Sequence, residues 1–115
     1  MIVHVVLFRP RASLPVAERA RLGAAFSAAL REIPSIRRAR VGTRVLHGRG
    51  YEALMRTNYS HAAILEFDDV AGLRAYLEHP AHDALGTLFF EMFEEALMYD
   101  FALKEGLSGV EALLD

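Results

Sequence analysis

The chain opens on Ile2-Val3-His4-Val5-Val6-Leu7-Phe8-Arg9, and no other segment restricts the fold as much. β-branched residues dominate it and a turn signal, Pro10, follows, so residues 2–9 read as a strand. Successive side chains of a strand point to opposite faces. Ile2, Val6 and Phe8 therefore share one face, and Val3, Val5 and Leu7 share the other. A strand apolar on both faces belongs inside a sheet and needs cover on each side. His4 falls in the first set, so a titratable ring is carried inward with it.

From Pro15 to Ile33 the apolar period changes to about 3.6, the mark of an amphipathic helix. Leu22, Ala25, Phe26, Ala29, Leu30 and Ile33 form its stripe, and Pro15 suits a first turn, where a missing N–H costs nothing. Pro34-Ser35 ends it. Residues 38–46 alternate again, with Ala39, Val41, Thr43 and Val45 opposite Arg38, Arg40 and Arg44, as an edge strand guarded by charge does. A loop over 48–58 leads to a third strand, Tyr59 to Phe67. Asp68-Asp69 caps a short helix whose face is Val70, Leu73 and Leu77. His79-Pro80 breaks it and starts another helix, with Leu85, Leu88, Phe89, Met92 and Phe93 as its stripe and Glu91, Glu94 and Glu95 away from it. Ala96 to Leu103 is a fourth strand, and the tail 104–115 has room for a short helical turn.

The order β-α-β-β-α-α-β is that of the α+β, ferredoxin-like, split βαβ protomer. Its sheet carries helices on one face only, yet both faces here are apolar. The simplest cover for the second face is that of a second copy, which gives a dimeric α+β barrel. Composition agrees. Counted with glycine and without tyrosine, apolar residues are about 57% of the 115, against about 45–50% in ordinary soluble domains. Much of this excess is alanine. The absence of cysteine excludes a disulfide scaffold, and no apolar run is long enough to span a membrane. The N-terminus lacks a basic region and a cleavage site, so a cytoplasmic protein is expected. A net charge of −2 argues against nucleic acid, whose phosphates demand a basic surface. The arginines of residues 38–44 have no interleaved aromatics to stack on bases, so they read as a solvated edge.

Gly-rich phosphate loops, nucleophile elbows, zinc motifs and cysteine nucleophiles are all missing. What stands out is polar side chains on apolar elements: His4, His61 at the third strand, Tyr76, His82 and Asp100. With Pro80 as first helical residue, His82 lies in the first turn, where the helix dipole disfavours an imidazolium. A neutral imidazole accepts a proton, as a general base must, although Asp83 beside it acts the other way. Tyr76, six residues earlier, offers a phenol to a carbonyl oxygen. Each has a plainer use: a first-turn His as a cap, and a Tyr beside Leu73 and Leu77 as core with its hydroxyl at the rim. His4 and Asp100 lie on strands that neighbour each other in this topology, and mutual satisfaction of two buried polar groups is the simpler role for them. His79 reads as an exposed joining residue and His47 as a strand-end residue. His79 and His82 are only two ligands at close spacing, too few for a metal site.

The opening strand, Ile33-Pro34, Tyr59-Ser60-His61 leading to Glu66-Phe67, residues 73–82 with Tyr76-x-x-His79-Pro80-Ala81-His82, and Tyr99-Asp100-Phe101 together resemble the stress-responsive A/B barrel (Dabb) family. The likeness covers residues 1–103, taken as the domain. It implies a homodimer of ferredoxin-like protomers, each with a small apolar pocket. Among the enzymes the family contains is a plant polyketide cyclase that closes a linear poly-β-keto thioester by aldol condensation without a cofactor. The resemblance implies His82 and Tyr76 as catalytic residues, with His4, His61 and Asp100 lining the pocket. Phe26 stands where that enzyme has a pocket tyrosine, the 48–58 loop differs, and the 104–115 tail is extra. The expected function is cofactor-independent acid–base catalysis on a β-keto or other small apolar ligand. The alternatives are a non-enzymatic stress-associated binding or structural protein and, by fold analogy alone, a ferredoxin-fold monooxygenase.

Overall fold

The computed structural model describes residues 1–114. Strand β1 (Ile2–Pro10) is followed by helix α1 (Val16–Glu32), strands β2 (Arg38–Thr43) and β3 (His61–Phe67), helices α2 (Val70–Glu78) and α3 (Pro80–Met92), strand β4 (Phe93–Ala102) and helix α4 (Gly106–Leu113). The sheet is antiparallel, in the order β2-β3-β1-β4. This is the ferredoxin-like α+β arrangement that the element order implies. β1 is an inner strand, paired from Ile2↔Phe67 to Phe8↔His61 on one side and from Ile2↔Ala102 to Phe8↔Ala96 on the other. Pro10 has no N–H to donate, and the ladder with β4 shifts register between Arg9 and Pro10.

One face of β1 enters the core. Val6 and Phe8 pack with Ala63, Leu65 and Phe67 of β3 and with Ala29, Leu73, Leu85 and Met92 of the helices. Phe67 is fully enclosed, at 0% exposure. Val3, Val5 and Leu7 lie on the opposite face together with Tyr99 and Phe101, both of which are exposed. The second apolar face thus exists as the alternation requires, and within the protomer the helix layer does not cover it.

Several boundaries differ from the sequence reading. β4 starts at Phe93 instead of Ala96, so Phe93, Glu94 and Glu95 are strand and not helix. There is no connecting loop, since α3 ends at Met92, and Arg9 instead draws both glutamates toward β1, at 3.6 and 3.5 Å. β2 stops at Thr43 because its partner β3 starts at His61, two residues later than the alternation suggests, leaving Val45 and Leu46 exposed and His47 beyond the strand. The 48–58 segment holds a short 3₁₀ turn, Gly50–Leu54. Pro15 precedes the first turn of α1 rather than standing in it, and Leu30, read as part of the stripe, is exposed. In α2 the inward face is Leu73 and Tyr76, while Val70 and Leu77 turn outward. The tail forms the two-turn helix α4, whose Leu107, Val110 and Leu113 are exposed, and Asp115 lies outside the described residues.

The cap of α2 is as expected: the Asp69 carboxylate accepts from the Gly72 N–H at 2.8 Å. Replacing it in Asp69→Ala is expected to cost about 1 kcal/mol, and Met92→Ala, at 1% exposure, about 2–5 kcal/mol. Urea denaturation measures both; an equal, small loss for the two would contradict the core described here.

Candidate functional site

Three strands (β1, β3, β4) and three helices (α1, α2, α3) converge on one cavity. The register places His4 of β1 opposite Asp100 of β4, and the His4 Nδ1 lies 2.6 Å from the Asp100 Oδ1. The pairing expected from topology is therefore present, although unevenly buried: the side chains are 7% and 41% exposed. The helical half is built by the α2–α3 break. Pro80 biases the residue before it toward extended backbone, and His79 adopts φ −71°, ψ 139°. His79 then caps α3, its Nδ1 accepting from the Ala81 N–H at 3.0 Å while its carbonyl accepts from His82 and Asp83. The cap belongs to half-buried His79, not to His82, and His79 is not the exposed joint expected of it.

With that role taken, His82 is free to face the cavity. Its ring meets the Tyr76 ring edge-on at 4.7 Å between centroids. Tyr76 in turn touches Phe67 at 5.3 Å and His4 at 5.6 Å. Tyr76 is thus both core, at 3% exposure, and cavity wall.

The cavity has a volume of about 630 Å³, within the range of small-molecule sites. His4, Tyr76, His82 and Asp100 supply its inner polar groups, and Phe26, Leu85, Phe89, Phe93 and Met98 supply apolar wall. Glu94, Glu95 and the 89%-exposed Phe90 also border it. His61 is not among the lining residues. It stacks on Phe8 at 5.3 Å and borders a separate cleft, with Phe26 between the two spaces as a common wall. Sequence reasoning assigned Phe89 and Phe93 to the core alone. Their placement at i+7 and i+11 from His82, with Gly86 at i+4, is one helical row continued into β4, and that row was the available signal.

The electrostatics oppose the two candidate residues to each other. Burial, and the nearby His4, lower the His82 pKa below its ordinary value, while Asp83 and the Leu77 carbonyl pull upward. Burial is the leading cause. His82 Nδ1 is shut from solvent without a hydrogen-bond partner among the described residues, so an imidazolium, which needs acceptors at both nitrogens, is poorly served. Burial, reinforced by the Asp100 charge, pushes Tyr76 up to about 12. At neutral pH the pair is a proton acceptor beside a phenol that keeps its proton.

The stress responsive A/B barrel domain family model matches residues 2–103. No curated protein matches the sequence. Among solved structures, a dimeric ferredoxin-like protein of unknown function from Thermobifida fusca is 26% identical, covering 89% of this chain and 90% of its own, with a TM-score of 0.67. A dimeric protein of unknown function and ferredoxin-like fold from Bacteroides fragilis is 27% identical over 89% of this chain and 95% of its own, TM-score 0.61. The hydroxynitrile lyase of Passiflora edulis is 19% identical over 92% and 95%, TM-score 0.72, a likeness of fold.

An NMR titration of the five histidines tests the electrostatics. His82 is expected to titrate below the ordinary value of about 6.5, and Asp83→Asn to move it lower still, because Asp83 holds it up. A His82 midpoint above the ordinary value would contradict the buried, unpaired ring.

Proposed function

Because the chain belongs to the stress responsive A/B barrel domain family, whose model spans residues 2–103, we propose a homodimeric barrel protein whose cavity performs cofactor-independent acid–base chemistry on a small β-keto substrate. The observation that carries this reading is the contact of a neutral imidazole with a protonated phenol in a mostly apolar cavity. His82 removes the acidic proton between two carbonyls. Tyr76 donates a hydrogen bond to the enolate oxygen that forms. The enolate carbon attacks a second carbonyl of the same chain, forming a C–C bond and an alkoxide, and the alkoxide takes the proton back from the imidazolium. Asp100 holds His4, and His4 packs against Tyr76, so the pair positions the phenol.

The second copy follows from the uncovered sheet face with Val5, Leu7, Tyr99 and Phe101, and it is supported by the dimeric state of the Thermobifida and Bacteroides proteins. A hydroxynitrile lyase built on the same fold supports a catalytic use of the cavity.

Tri- and tetra-β-keto thioesters offered to the protein are expected to yield cyclised product. His82→Ala should lower the rate about 10²–10⁴-fold and Tyr76→Phe about 10²–10³-fold. Equal rates for wild type and His82→Ala would remove the assignment. Protonated His82 cannot accept a proton, so the rate should fall as pH drops through a midpoint below about 6.5. Tyr76, pushed up to about 12, should produce no alkaline limb below pH ~10. Light scattering is expected to give twice the protomer mass; a compact monomer at micromolar concentration would overturn the dimer.

A further inference from the structure

The cleft on the far side of Phe26 is used by none of the chemistry above. It has a volume of about 410 Å³ and lies between the end of β1, helix α1 and strand β2. Its apolar wall is Phe8, Leu14, Leu22, Phe26 and Val41. Its polar side chains are Arg11, Arg19 and His61, and among the described residues no carboxylate lines it. Arg9, Arg21, Arg37 and Arg40 all have carboxylate partners. Arg11 and Arg19 make no ion pair and no side-chain hydrogen bond among the described residues. His61 has Nδ1 beside the Ser60 hydroxyl at 2.8 Å. A hydroxyl that donates there leaves Nε2 carrying the ring N–H, and Nε2 has no partner among the described residues.

The cleft is therefore bordered by two guanidinium groups without a carboxylate partner among the described residues, and by an imidazole whose Nε2 has none, around an apolar floor. The first cavity has the opposite sign at its border, where Glu94, Glu95 and Asp100 stand and Arg9 reaches only the first two. An anion is disfavoured at one opening and favoured at the other. Guanidinium groups present forked donors that suit a carboxylate, and the apolar wall suits a hydrocarbon body attached to it.

We infer that this cleft is a second binding site, for an amphipathic organic anion of the class of a carboxylate on a short alkyl or aryl body. It does not depend on the reaction proposed for the first cavity, with which it shares only the Phe26 wall. Phe26 keeps the two spaces apart, so occupancy of one leaves His82 accessible from the other.

Octanoate and octylammonium, of equal chain length and opposite charge, are the probes. Amide chemical shifts of the full chain are followed during titration with each. Octanoate should move residues 11–26 and His61, and should bind at least tenfold tighter than octylammonium, a difference of about 1.4 kcal/mol. Arg11→Gln combined with Arg19→Gln should weaken octanoate at least tenfold. Both arginines are exposed, and an unchanged spectrum away from the cleft confirms that the double variant remains folded. His82→Ala should leave octanoate affinity unchanged. The inference is overturned if octanoate does not saturate at millimolar concentration, if it shifts only His82, Phe89 and Met98, or if octylammonium binds equally well. Undiminished octanoate binding by the double variant overturns it too.

Discussion

The position of β1 between β3 and β4 governs this molecule. Its side chains have a period of two, so a slip of one residue would move every one of them to the opposite face. In the register adopted, His4 meets Asp100 on one side and Leu65 on the other. The same register puts Val6 and Phe8 into the core and leaves Val5 and Leu7 on the uncovered face. Core, polar pair and uncovered apolar face are thus consequences of one hydrogen-bonded alignment.

The second constraint is the chain break at His79-Pro80. It ends α2 just after Tyr76, and His79 satisfies the first amides of α3 with its own ring and carbonyl. Two side chains six residues apart would stand on different sides of a continuous helix, since six residues turn it through about one and two-thirds revolutions. The break brings them ring to ring instead. Once together in a space walled by Phe26, Phe89 and Phe93, they lose water, and lost water acts oppositely on a base and an acid. Each is held in its neutral form. A neutral acceptor and a neutral donor side by side are what proton transfer at a carbonyl requires.

Both the fold and part of the site were legible in the chain. The order of elements, the Asp69 cap, Pro80 at the start of α3 and the edge position of β2 all follow from local chemistry. Local signals misplaced the start of β4, because Phe93, Glu94 and Glu95 continue a helical pattern and no glycine or proline interrupts it. Only the pairing of Pro10 with Phe93 and of Arg9 with Glu95 across the sheet overrides that pattern. Tyr76 and His82 stood out together as polar side chains on apolar elements, but their ring-to-ring contact was not readable. α2 buries Tyr76 against the ring of Phe67 and leaves Leu77 exposed, a contact between elements that no pattern within α2 encodes. His61 was grouped with the other histidines by type, and the position of Phe26 separates it from them.

By itself the sequence determined which residues are paired with which kind of surroundings: an apolar strand carrying one histidine, a proline break between a tyrosine and a second histidine, and a surplus of apolar surface. These are properties of neighbours along the chain, and short-range sterics and periodicity fix them. The tertiary structure alone decided how the space between the elements is divided. It made two openings on either side of Phe26, one bordered by carboxylates and one by arginines. Those residues come from strands and helices distant in the chain. Their charges meet only when the sheet register and helix packing bring them together, and no local pattern encodes the distance between them.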